Sequence, residues 1–172
     1  SRSDWSSDVC SSDLEGITGY LPVGALIFFV LLVCSGLHLN HLFIWMDPQV
    51  VAHDTVIQGK TCYLNVPMFL VRAAVYLLGW IAYRQITRKL SLQQDEATDN
   101  RPFIKAFKWS AGFLVFFLVT ESMMSWDWVM SVDPHWFSTL FGWYVFGSFI
   151  TCAIAAIILV TVTLKKQGYL EH

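Results

Sequence analysis

From Phe137 to Leu164 no charged residue interrupts the chain, and the run ends in Lys165-Lys166. About 20 mostly apolar residues are enough to cross a bilayer core. In that environment each backbone N–H and C=O must be satisfied within the segment, which selects the helix. Tyr63 to Ile86 and Phe107 to Met130 are also long and mostly apolar, though each carries a few charged residues, with Pro67 in a first turn, where no N–H is required. Leu21 to Met46 is weaker. Its apolar core, Leu21 to Cys34, covers roughly 14 residues, short for a span, but it continues through Ser35-Gly36-Leu37-His38-Leu39-Asn40-His41. It reads as one long helix whose outer end faces protein or water. The expected fold is therefore all-α integral membrane, with four transmembrane helices at about 21–46, 63–86, 107–130 and 137–164.

Composition agrees. Of 172 residues, 55% are hydrophobic and 14% charged, and mean hydropathy is +0.51. Soluble domains carry about 25% charged residues. A disordered chain, a disulfide scaffold and a nucleic-acid binder are excluded, the last because net charge is −2. Ser1 to Leu14 stands apart. It is rich in Ser and Asp, and Asp4 to Leu14 resembles one reading frame of a common sequencing adapter. Residues 1–14 are expected to be an artefact outside the fold, and 15–172 to be the native part. Cys34, Cys62 and Cys152 lie in or beside apolar segments without metal-ligand spacing and read as small buried hydrophobes. No GxGxxG, Walker-type, HExxH or CxxC pattern occurs. No metal ligand set and no catalytic residue is assigned.

The connections are polar. Asp47-Pro48 suits an N-cap followed by the first helical position, opening a short surface helix before Cys62. Arg88 to Lys105 reads as a solvent loop. Asp133-Pro134 is a second cap-like pair. Cytoplasmic connections collect Lys and Arg. Arg84, Arg88, Lys89, Arg101, Lys105, Lys108, Lys165 and Lys166 fall on one side, and only Lys60 on the other. The expectation is that both ends of the chain are cytoplasmic. Trp45, Trp126, Trp128, Trp136 and Trp143 would form an aromatic belt at the outer ends of the spans. Gly142, Gly147, Ser148, Thr151, Ala153, Ala155 and Ala156 suit close helix packing.

Ionisable groups within the spans carry the functional expectation. At 1.5 Å per residue, Arg72 lies about 13 Å and Glu121 about 10 Å below the outer surface. They sit on antiparallel neighbours at similar depth. A charge in hydrocarbon costs several kcal/mol unless paired or hydrated, so Arg72 and Glu121 are expected to pair, as a structural ion pair or as part of a proton relay. His38 and His41, three positions apart on a helix, would share a face and suit proton exchange with a quinol, or be ordinary interfacial histidines. Asp127 and His135 would line the mouth of a proton exit, or be solvated loop residues. Asp133 reads as a cap.

The run from Ser125 to Tyr144, SWDWVMSVDPHWFSTLFGWY, resembles the membrane subunits of alternative complex III, a quinol:cytochrome c oxidoreductase. Tyr63 to Pro67, Arg72-Ala73-Ala74 and Arg88 to Asp95 point the same way. These subunits are similar to the NrfD-like membrane proteins of polysulfide reductase. The likeness covers residues 15–172 and is nearer to the second of two related subunits, the quinone-binding subunit 2 type. It implies a helical-bundle subunit of about ten helices, of which this chain supplies an internal fragment of about four, in the bacterial inner membrane. It implies partners: the lipid bilayer, an iron–sulfur subunit, a multihaem cytochrome subunit and a second NrfD-like subunit. Iron–sulfur clusters and haems c would reside in those partners, none in this chain, and menaquinol or ubiquinol would be the substrate. Glu121, Arg72, His38, His41, Asp127 and His135 are the candidates for a quinone or proton path. A secondary transporter and a purely structural scaffold subunit are the alternative functions.

Overall fold

The computed structural model describes residues 18–96 and 99–166, so the Ser1–Leu14 segment lies outside the described residues. Every regular element among them is helical. Helix α1 is Leu21–Gly36, α2 Pro48–His53, α3 Thr55–Lys60, α4 Val66–Glu96, α5 Arg101–Met124 and α6 Phe141–Lys166. A π-helical turn, Ser125–Val129, and a 3-10 turn, Met130–Val132, extend α5.

Helix α1 is shorter than expected. It stops at Gly36 and does not continue to Met46. The amide of Leu39 donates to the Cys34 carbonyl (3.0 Å) and that of His38 to the Ser35 carbonyl (3.1 Å). This is the paired bond pattern that closes a helix through a left-handed residue, and His38 is that residue, with φ 59°. Asn40 then accepts from the Ser35 hydroxyl (2.6 Å) and the Leu42 amide (3.3 Å). A polar side chain competing for local hydrogen bonds turns the chain away from helix. The 16 residues of α1 rise about 24 Å, against a hydrocarbon core of about 30 Å. Among the described residues three helices, Val66–Gln94, Arg101–Val132 and Phe141–Lys166, are long and apolar enough to cross a membrane, rather than the four expected.

The expected loop Arg88–Lys105 is also helical at both ends, as α4 runs to Glu96 and α5 starts at Arg101. Lys, Leu, Gln and Glu favour helix whether or not the segment is apolar, so polar composition did not mark the boundary. Gln94 clips the turn: its Oε1 accepts from the Phe103 amide (3.0 Å) and its Nε2 donates to the Asp99 carbonyl (3.1 Å). Asp47 caps α2 as expected, accepting from the Gln49 amide (2.9 Å). Asp54 does the same for α3, accepting from Val56 (2.9 Å) and Ile57 (3.3 Å). Asp133 caps only a turn, accepting from the His135 amide (3.1 Å).

Helices α4 and α5 pack antiparallel along their length. Tyr83 bonds Ser110 (2.9 Å) and its ring stacks on Phe113 at 3.7 Å, and the Trp80 indole donates to Thr120 (3.1 Å). Further along, Arg72 reaches Asp127. Gly79 matters here, because a methyl group at that position would collide with the Phe116 ring. Helix α6 crosses α5 at Gly142, where a Cβ would lie 3.2 Å from the Ser122 Cα. Of the small residues expected to pack, Gly142 is buried, whereas most of α6 beyond it is open. The antiparallel order brings Arg84, Arg88 and Lys89 of α4, Arg101, Lys105 and Lys108 of α5, and Lys165 and Lys166 of α6 to one end of the bundle, whereas Arg72 lies toward the other.

The other end is closed by aromatic packing. Phe69 and Ala73 of α4 meet Leu32 of α1 and Phe43, Trp45, Met46 and Ile57 of the connection. The Phe43 and Trp45 rings lie 5.2 and 5.3 Å from Phe69, edge to face. Trp128 packs on Phe28 (4.7 Å) and near Tyr76 (5.9 Å) and Trp80 (6.1 Å). Trp45 is therefore a core residue and Trp128 is half-buried against the core, so tertiary packing takes up faces that a surface belt would leave free. Trp136 and Trp143 are exposed. Cys34 is half-buried, but Cys62 and Cys152 are exposed, against the expectation that all three are core residues.

Candidate functional site

Arg72 does not pair with Glu121. Its partner is Asp127. The guanidinium Nε donates to Oδ2 (2.8 Å) and Nη2 to Oδ1 (2.9 Å), a bidentate bridge. Nη1 donates to the Tyr63 carbonyl (3.2 Å), and the guanidinium lies 4.0 Å from the Tyr63 ring centre. Tyr76 donates its hydroxyl to Asp127 Oδ2 (3.1 Å). The side chains of Arg72 and Asp127 are 13% and 0% exposed, so the charges lie away from solvent and need this full set of bonds.

The π turn explains why Asp127 arrives there. Five residues per hydrogen-bonded step, instead of four, insert one extra position after Met124. Depth counted along a regular α-helix past this point assigns the wrong phase. Ser125 donates to the Ser122 carbonyl (2.7 Å), and Ser131 donates to the Asp127 carbonyl, so hydroxyls occupy carbonyls around the irregular turn. Asp127 is thus an interior anchor and does not line an exposed mouth. Sequence reasoning passed over Tyr76. Its signal was present: Arg72, Tyr76 and Trp80 recur every four residues, one face of α4.

Glu121 is 1% exposed. Its Oε1 has no hydrogen-bond partner among the described residues. Trp126 and Trp128 are each left with an unpaired indole N–H in the same way. A buried carboxyl without a cation is costly as a fixed charge, so this group is chemically unlike Asp127.

The remaining candidates are dispersed. His38 and His41 are exposed and lie beyond the end of α1, so they share no helical face. His135 is not beside Asp127. It meets Asp54 through Nε2, with Asp133 at 3.6 Å from Nδ1. Burial raises the Asp54 carboxyl, but the Ile57 amide, the His135 ring and the Val56 amide outweigh it and hold the group below the usual carboxylate range. Tyr63, ahead of α4, is pushed up to about 12, first by burial and then by the Asp127 charge, with Arg72 opposing. Among the described residues no group of three His, Cys, Asp or Glu side chains is placed to hold a metal.

No protein-family model matches the chain, and no curated protein sequence matches it.

Proposed function

We propose that the chain is a membrane subunit of a quinol:cytochrome c oxidoreductase of the alternative complex III type, taking part in proton movement beside the quinol-oxidising machinery. The observation that carries this reading is the division of labour between two buried carboxyls. Asp127 is spent on Arg72 and Tyr76, while Glu121 is enclosed with an open oxygen. A lone carboxyl in a low-dielectric interior exchanges its charge with a proton more readily than a paired one. The resemblance supports the same reading, because the Trp126-Asp127-Trp128 run on which it rests is the turn that delivers Asp127 to Arg72.

On this reading the Arg72–Asp127–Tyr76 cluster holds α4 to the end of α5, and Glu121 is the proton-carrying group. The basic end of the bundle faces the cytoplasm of a bacterial inner membrane. Iron–sulfur and multihaem cytochrome subunits are the electron-carrying partners. The test is Glu121→Gln in the intact complex, with assembly and turnover measured separately. Normal assembly with turnover lowered at least tenfold is expected. Normal assembly with full turnover would remove the proton role.

A further inference from the structure

A cavity of about 630 Å³ lies at the end of the bundle opposite the basic residues. One wall is the segment from Gly59 to Leu64, which leads into α4. The other is the segment from Trp126 to Phe137, which joins α5 to α6. Two polar straps fix the distance between the walls. Lys60 donates to the Pro134 carbonyl (2.5 Å), and His135 meets Asp54. The cavity is therefore a gap of set shape between two loops, at the level where three long apolar helices end or begin.

Its lining is carbon with one charge. Tyr63, Trp126, Met130, Trp136 and Phe137 supply apolar surface, and Lys60 is the single charged side chain among the lining residues. The ammonium lies 5.6 Å from the Phe137 ring centre. It has three N–H donors. Pro134 takes one of them, and the other two have no partner among the described residues. The neighbouring carboxylates are engaged elsewhere, Asp54 with His135 and Asp133 with the His135 amide. Trp136 and Phe137 are 49% and 74% exposed, so the apolar lining continues onto the outer surface. Met68 and Val71, in the first turns of α4, are exposed at the same end.

We propose that this cavity is a binding site for an anionic phospholipid, with an acyl segment against the aromatic wall and the phosphate on Lys60. The volume suits part of a lipid rather than a whole one. A soluble anion would gain nothing from the apolar lining, and a zwitterionic headgroup would bring a cation to a lysine with no carboxylate in the lining to receive it. The proposal rests on membrane insertion alone and stands apart from the redox reading.

The full chain is reconstituted in bilayers in which either phosphatidylglycerol or phosphatidylcholine carries brominated acyl chains, which quench nearby tryptophan. The fluorescence lost in Trp136→Phe identifies the reporter. At equal mole fraction, brominated phosphatidylglycerol should quench that signal at least threefold more than brominated phosphatidylcholine. Lys60→Gln should abolish the difference and Lys60→Arg should keep it. Gly59→Phe, where an added side chain starts in open space, should block the cavity and lower quenching by both lipids while leaving Lys60 in place. Equal quenching by the two lipids, a preference that survives Lys60→Gln, or quenching unchanged in Gly59→Phe would each overturn the proposal.

Discussion

Arg72 and Asp127, on different helical segments, meet in a bidentate ion pair with donor–acceptor distances of 2.8 and 2.9 Å and almost no exposed surface. Removing one partner strands the other charge in the interior, which costs about 3–5 kcal/mol. Asp127→Asn is expected to lose about that much in reversible unfolding from detergent micelles. The double variant Arg72→Gln/Asp127→Asn should lose clearly less than the sum of the two singles. Strict additivity would show that the two side chains do not interact.

His38 offers a test of conformation against chemistry. Its positive φ is disfavoured for a residue with a Cβ and free for glycine. His38→Gly should fold with equal or slightly higher stability, by up to about 1 kcal/mol, and should leave turnover of the complex intact. A selective loss of turnover with normal stability would return His38 to the list of proton-transfer groups.

The Asp54–His135 strap has a defined acid limit. The folded-state carboxyl of Asp54 lies below its ordinary value. Its contribution is therefore fully present above the unfolded value of about 4 and is lost as pH falls through the lower folded value. Hydrogen exchange of the α2–α3 segment should be constant from neutral pH down to about 4, after correction for intrinsic rates, and should accelerate below it. In Asp54→Asn the acceleration should be present already at neutral pH, since the cap and the strap are both weakened. Acceleration beginning near pH 7 in the unmodified chain would mean that another group controls the strap.

The three long helices were legible because uninterrupted apolar length is a property of composition, and nothing in the fold has to be known to count it. The end of α1 was not, because it depends on one histidine, His38, adopting a left-handed conformation. The continuation of α4 to Glu96 was hidden by treating polarity as a loop signal, although Lys, Leu and Gln are good helix formers. The pairing of Arg72 with Glu121 failed because similar depth does not fix which face of a helix a residue occupies, and the π turn at Ser125–Val129 presents Asp127 to Arg72 instead. The place of Glu121 within a long apolar helix and the capping role of Asp47 follow from sequence position, and both are present in the fold.

The most direct measurement is the composition and activity of the assembly isolated through this chain. A tagged copy, expressed in its own cells and extracted from membranes with a mild detergent, should bring down haem c and iron–sulfur protein together. The preparation should reduce cytochrome c at the expense of added quinol. Isolation of the folded chain with no haem c, no iron–sulfur protein and no quinol-dependent reduction of cytochrome c would contradict the assignment.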